Sequence, residues 1–201
     1  MLAIEVDPRA IEALAELEAA HPGRLRVLAA DATRTDLATL APAPRQIVAN
    51  LPYNVATPLL IAWLRQAAAW ERLTLMFQLE VAERIAAAPD TPAYGRLSVL
   101  AQWTCRVALL LRLPPAAFVP PPKVWSAVVG LVPHGTQPPA ALFAAMERLT
   151  AAAFGQRRKM LRGSLRTLGG EALLERAGIA PERRAETLDV AEFDRLARLT
   201  A

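Results

Sequence analysis

Gln46-Ile47-Val48-Ala49-Asn50-Leu51-Pro52-Tyr53-Asn54 reads as a short apolar strand that stops on an amide and turns at a proline. Both asparagines of the chain fall within it, in a sequence otherwise rich in Ala, Arg and Pro. An Asn at the carboxyl end of a buried strand, followed by Leu-Pro and an aromatic ring, has the parts needed to grip a planar amino group. Its carboxamide oxygen accepts one N–H, the carbonyl before or at the proline accepts another, and the ring stacks on the face of a base. The competing reading is a plain turn, because Asn and Pro favour turns for local backbone reasons.

Upstream, Leu2 to Val6 reads as a buried strand, and Asp7-Pro8 starts a helix to about Ala20 with Ile11, Leu14 and Leu17 on one face. His21-Pro22-Gly23 ends that helix, and Leu25 to Ala29 forms the next strand, closing on Asp31. Strands separated by crossovers predict a parallel sheet with a ligand crevice at the strands' carboxyl ends. Glu5, Asp31 and Asn50 occupy those ends and are expected to converge there. A carboxylate at Glu5 suits the two hydroxyls of a ribose, although a surface acid beside a helix start has the same sequence. Asp31 with the backbone N–H of Ala32 suits the edge of an adenine, although an Asx turn does as well.

Downstream, the pattern predicts a helix over 55–66, a strand over 73–78, helices over 80–87 and from Gly95 to about Trp103, and a strand over 107–113. Pro114-Pro115 and Pro120-Pro121-Pro122 bracket Phe118 in a stiff extended segment. Val124 to Val132 then returns as a strand antiparallel to its neighbour. From about residue 135 only helices follow, over 140–154, 171–177 and 190–199, with a basic stretch between the first two. This gives an α/β domain over 1–134 and a small all-α domain over 135–201.

With 201 residues, 54% of them hydrophobic, the chain can build one good core. Its net charge of +4 is compatible with a polyanionic partner without specifying one. Cys105 is the single cysteine and His21 and His134 the only histidines, so neither an intramolecular disulfide nor a thiolate metal cluster is expected. The longest strongly apolar helix candidate, Val55 to Leu64, is too short to span a bilayer and contains Pro58. A soluble cytoplasmic protein, a monomer without metal, is expected. Asn54 is expected to cap the helix that follows the turn.

Ala3-Ile4-Glu5-Val6-Asp7, Asp31-Ala32 and Asn50-Leu51-Pro52-Tyr53-Asn54 together resemble the cofactor and catalytic motifs of the ribosomal RNA adenine dimethyltransferases of the KsgA type. Further similar segments follow in order: Gln78-Leu79-Glu80-Val81-Ala82-Glu83-Arg84, Tyr94-Gly95-Arg96-Leu97-Ser98-Val99, Phe118-Val119-Pro120-Pro121-Pro122-Lys123-Val124 and Phe154-Gly155-Gln156-Arg157-Arg158-Lys159. Together with the first group they hold both lysines and both tyrosines of the chain, and the resemblance covers essentially all of it.

The resemblance implies a Rossmann-like class I methyltransferase sheet, S-adenosylmethionine as methyl donor, and transfer to the N6 amine of adenines in small-subunit (16S) rRNA during ribosome maturation. It places Glu5, Asp31, Ala32 and Asn50 on the cofactor, and Asn50, Leu51, Pro52 and Tyr53 at the reacting amine. Phe118 would approach the adenine from the side opposite Tyr53. It assigns RNA contacts to Phe118, Lys123, Arg157, Arg158, Lys159 and Arg162. Arg158, Arg162 and Arg166 recur every fourth position and are expected on one helical face; a solvated charged face is the alternative.

Two positions depart from the family's pattern: Trp125 stands where an acid is usual, and Leu79 where Lys is usual. No counterpart of the family's N-terminal arm, first strand and Gly-rich loop precedes Glu5, so the chain reads as an N-terminally truncated member. The alternative function is therefore a non-catalytic rRNA-binding or ribosome-assembly protein, or an inactive fragment. A large-subunit rRNA adenine methyltransferase of the resistance type is a nearer rival, which the Phe-Val-Pro-Pro-Pro-Lys and Arg-Arg-Lys segments fit less well.

Overall fold

β1 (Leu2–Glu5) and β2 (Arg26–Ala29) run parallel, joined by α1 (Pro8–Ala20) in a β-α-β unit. The computed structural model describes residues 1–156 and 158–201. Asp7 caps α1 by accepting the Arg9 backbone N–H at 2.9 Å, with Pro8 preset for the first helical turn. Ile11 and Leu14 are half-buried, but Leu17 on the expected apolar face is half exposed.

A second sheet holds β3 (Gln46–Asn50), β4 (Arg72–Gln78), β5 (Cys105–Leu113) and β6 (Ser126–Pro133) in the order β3-β4-β6-β5. β3 and β4 are parallel, connected by α2 (Tyr53–Arg65), which continues through Pro58. β6 is antiparallel to both β4 and β5, as expected from its return, with an irregularity between Leu109 and Leu111. The one sheet expected from the crossovers and the antiparallel return is thus divided in two, a parallel pair and a mixed sheet. The reason is pairing: no ladder joins β1 to β3 among the described residues. β3 is consequently an edge strand, and its side chains alternate between a covered face, where Ile47 is buried, and an open one, where Val48 is 78% exposed.

α3 (Leu79–Ala86) and α4 (Arg96–Thr104) pack on the second sheet, and α5 (Ala140–Gly155) and α8 (Val190–Thr200) pack on α4. One apolar core runs from Ile47 to Ala197, taking in Leu73, Leu75 and Phe77 of β4, Val129 and Leu131 of β6, and Leu149 and Phe193 of the helical part. Phe154 sits between Tyr94, edge-on at 6.0 Å, and Phe193, stacked at 5.6 Å. It is a core ring, not a companion of the adjacent cations. Between α5 and α8 lie α6 (Leu161–Ser164) and α7 (Gly170–Arg176).

The predicted face of Arg158, Arg162 and Arg166 is not on one helix. α5 stops at Gly155, Arg162 belongs to the four-residue α6, and Arg166 starts a short 3-10 turn that closes at Gly169, whose φ is +116°. A spacing of four aligns side chains only where the helix is continuous.

Candidate functional site

Glu5 ends β1. Its Oε1 accepts the backbone N–H groups of Val6 at 2.7 Å and Asp7 at 2.9 Å, closing the turn into α1, while Oε2 has no partner among the described residues. Asp31 follows β2 and repeats the arrangement. Its Oδ1 accepts the Thr33 backbone N–H at 2.8 Å and the Thr33 hydroxyl at 2.6 Å, and Oδ2 is left over. The Thr33 hydroxyl and then its N–H hold the Asp31 carboxyl below its ordinary value. Ala30 donates its backbone N–H to the Glu5 carbonyl at 2.9 Å, so the two acids sit at one end of one sheet. Ala32, half-buried, packs against the core.

Asn50 ends β3 opposite Met76 of β4; its side chain is exposed and its carboxamide has no hydrogen-bond partner among the described residues. Leu51 is buried and anchors the turn. Pro52, rather than Asn54, is the cap residue of α2: its carbonyl accepts Val55 N–H and Ala56 N–H, both at 3.1 Å. The helix already starts at Tyr53, which puts Asn54 in its first turn, and proline's fixed φ suits the entry. The Pro52 carbonyl is therefore occupied, and the Leu51 carbonyl is the one outside the helix's hydrogen bonding.

The Tyr53 ring is 42% exposed, and its hydroxyl hydrogen-bonds Ser126 Oγ at 3.2 Å. Ser126 is fully buried at the start of β6, in register with Gln78 of β4 and Leu113 of β5. The ring is thus tethered where β4 ends and β6 begins. Sequence reasoning missed Ser126: only its place as first residue of a buried strand, beside the Pro-Pro-Lys segment, hinted at a site role.

The segment from Pro114 to Trp125 borders the same edge. Phe118 is half-buried and donates its N–H to Pro115, Val119 is fully exposed, and Lys123 is exposed. At its end the Trp125 carbonyl accepts Leu79 N–H at 2.8 Å. Leu79 opens α3 and packs against the core, so this departure from the family's pattern serves packing. Trp125 is 48% exposed.

Among the basic residues, Arg158 and Lys159 are exposed and line an open depression with Gly155 and Gln156. Arg162 is exposed, 3.9 Å from Glu182. Arg157 lies outside the described residues. The structure therefore gathers Asn50, Leu51, Tyr53, Ser126 and the 114–125 segment at one edge, and Glu5 and Asp31 at the end of the other sheet. No hydrogen bond or ion pair joins the two groups among the described residues. The link is indirect, through the 32–45 segment: Asp36 accepts a hydrogen bond from Gln66 at 3.2 Å, and Leu37 and Ala38 pack on the core.

The donor set fits S-adenosylmethionine: two carboxylates with one free oxygen each suit ribose hydroxyls and an adenine amino group, and the free carboxamide at Asn50 suits a second amine. Among the described residues no helix is long and apolar enough to cross a membrane.

Comparison with known proteins gives the same direction. The family model of the ribosomal RNA adenine dimethylases matches residues 1–201. The chain is 66% identical over 196 residues to the ribosomal RNA small subunit methyltransferase A of Gluconobacter oxydans, covering 98% of this chain and 65% of that protein. To the protein of the same name from Paramagnetospirillum magneticum it is 56% identical, covering 98% of this chain and 71% of that one. It thus spans about two thirds of the length of these relatives. Among solved structures, a dimethyladenosine transferase from Plasmodium falciparum superposes with a TM-score of 0.82 at 25% identity, covering 97% of this chain and 79% of that one. The 23S rRNA methyltransferase ErmE gives a TM-score of 0.67 at 25% identity, covering 99% and 81%. The fold is that of a Rossmann-like methyltransferase with a helical C-terminal part, and the chain belongs to the ribosomal RNA adenine dimethylase family.

Proposed function

We propose that this chain carries the methyl-transfer and RNA-binding machinery of a cytoplasmic, S-adenosylmethionine-dependent enzyme that methylates the N6 amine of adenines in small-subunit rRNA during ribosome maturation. The observation that carries the reading is Asn50: an unpartnered carboxamide at a strand's carboxyl end, one turn from an aromatic ring fixed by its hydroxyl.

An exocyclic adenine amine is a weak nucleophile because its lone pair is delocalised into the ring. Asn50 Oδ1 and the Leu51 carbonyl accept its two N–H bonds, which favours a pyramidal nitrogen with its lone pair directed outward. Tyr53 stacks on the extruded base, with Phe118 on the other side, and Pro52 fixes the angle at which the chain leaves β3. Glu5 holds the ribose hydroxyls through its free oxygen, and Asp31 with Ala32 holds the adenine of the donor. S-adenosylmethionine, when bound, supplies the electrophilic methyl group and a good leaving group. The protein's part is therefore positioning, and the proton displaced from the amine passes to solvent.

We assign donor and target binding to residues 1–134 and contacts with RNA phosphates to Lys123, Arg157, Arg158, Lys159 and Arg162, mostly within 135–201. One observation favours a second reading, a non-catalytic RNA-binding protein: Glu5 and Asp31 stand on a sheet that has no ladder to the one bearing Asn50.

Calorimetric titration with S-adenosylmethionine separates the two. The enzymatic reading expects binding that weakens at least tenfold in Glu5→Gln, and methyl transfer to undermethylated small subunits that falls about a hundredfold or more in Asn50→Ala, the scale of losing one positioned acceptor. Folded protein that binds small-subunit rRNA but not the donor would leave the second reading.

A further inference from the structure

We propose that Trp125 is a stacking platform for an unpaired RNA base that flanks the target adenine, making it a positioning and specificity residue on the substrate side. This rests on the proposed function, since it takes Tyr53 to mark where the target base stands.

The four tryptophans of the chain divide sharply. Trp63 and Trp70 are 4% and 6% exposed, and Trp103 is half-buried with its indole N–H donated to Asp194 at 2.9 Å. Trp125 is 48% exposed, and its indole N–H has no partner among the described residues. A large flat apolar surface left in water is unfavourable unless something covers it.

Its backbone is nevertheless held on the C-terminal side. The Trp125 carbonyl accepts Leu79 N–H at 2.8 Å, and the next residue, Ser126, is buried, laddered to Gln78 and Leu113, and hydrogen-bonded to Tyr53 at 3.2 Å. The residue that anchors the Tyr53 ring is therefore directly preceded in the chain by a second, exposed aromatic residue. The prolines at 120, 121 and 122 lead into this position and limit the segment's freedom, so little entropy is lost when the ring is covered.

The surroundings state the chemistry of the occupant. Val119 is 101% and Val124 43% exposed, and Lys123 is an exposed cation between the prolines and the ring. Exposed apolar surface beside one cation suits a planar base joined to a phosphate, which is how single strands are held without reading their sequence. A duplex, with its bases already stacked, offers no such face.

The test uses fluorescence anisotropy with a labelled single-stranded oligoribonucleotide containing unpaired adenines, and a duplex of equal length. Trp125→Leu should weaken single-strand binding about tenfold or more, leave duplex binding within about twofold, and be largely rescued by Trp125→Phe. In the parent, intrinsic tryptophan fluorescence should fall on adding the single strand; in Trp125→Phe, whose remaining tryptophans are buried or, at Trp103, half-buried, most of that fall should vanish. Equal single-strand affinity in parent and Trp125→Leu, equal losses on both RNAs, or quenching that persists in full in Trp125→Phe would each overturn the inference while leaving the proposed function standing. A parent that binds neither RNA overturns both.

Discussion

Glu147 on α5 ties the helical part to the sheet-bearing part, and removing it should be costly in a way that can be worked out in advance. Its side chain is 13% exposed and takes three N–H donors: Arg65 Nε at 2.9 Å and Nη2 at 3.0 Å from the end of α2, and Arg96 Nη2 at 3.3 Å from the start of α4. The two arginines are 56% and 42% exposed, so water screens these contacts and replaces part of what is lost. After that discount, three charge-assisted bonds at well under their buried worth give about 2 kcal/mol for Glu147→Ala. Glu147→Gln keeps one acceptor oxygen but turns an NH₂ toward a cation, and should cost about half as much. For a chain of this size, about 2 kcal/mol corresponds to a melting point lower by roughly 4–8 °C. Thermal and urea unfolding followed by circular dichroism would measure both variants, and a cycle with Arg65→Ala should return a coupling of about 1 kcal/mol. A Glu147→Ala protein that melts within a degree or two of the parent, or an additive cycle, would refute the reasoning.

Two further outcomes follow from the titrating groups. Burial pushes the Glu192 carboxyl upward, but hydrogen bonds from Arg183 and from the Asp189 backbone N–H outweigh it and hold the group below its ordinary value of 4.5. A depressed carboxyl stabilises the fold above its unfolded pKa, and that contribution is lost as pH falls through the folded one. The parent's advantage over Glu192→Gln in urea midpoint should therefore be constant above about pH 5.5 and shrink steadily below 4.5; an advantage that grows on acidification would contradict this. Burial also pushes the Cys105 thiol up to about 11, and the residue is 1% exposed. At pH 8 the native protein should leave a thiol reagent such as DTNB unconsumed and take up one equivalent only when unfolded.

What the sequence made legible was local. The strand and helix over 46–65 and the antiparallel return of β6 follow from apolar runs and backbone chemistry within a few residues, whereas the segment expected to be extended around Phe118 instead makes a 3-10 turn over Pro115–Ala117. What it hid was long-range. That β3 pairs on one side only, and that the face bearing Val48 is left open, depends on which elements find each other, and no local pattern encodes it. The Tyr53–Ser126 contact spans 73 residues. The misplaced arginine face shows a different failure: a spacing of four implies one face only on a continuous helix, and here α5 ends at Gly155 and α6 spans only Leu161–Ser164. Asn54 lost its expected capping role because the helix starts two residues earlier, with Pro52 as its cap.

At Glu5 and Asp31 the sequence left two readings open, a turn or a ligand site, and the geometry makes them compatible. In each carboxylate one oxygen accepts two donors from the following turn, Val6 and Asp7 N–H at Glu5, and Thr33 N–H and hydroxyl at Asp31. A carboxylate held through one oxygen cannot swing, so its other oxygen has a defined direction before any ligand arrives. The rotamer entropy is already lost on folding and is not charged again on binding. Asn50 is the contrast: its carboxamide accepts nothing from its own chain, so its orientation must come from the ligand or from contacts made when RNA binds. Substitutions at Glu5 and Asp31 should thus change local order as well as donor affinity, whereas Asn50→Ala should leave unfolding within about 0.5 kcal/mol of the parent, as expected for an exposed side chain with no partner. If Asn50→Ala lowers methyl transfer only in proportion to lost stability, the amide has no role at the amine.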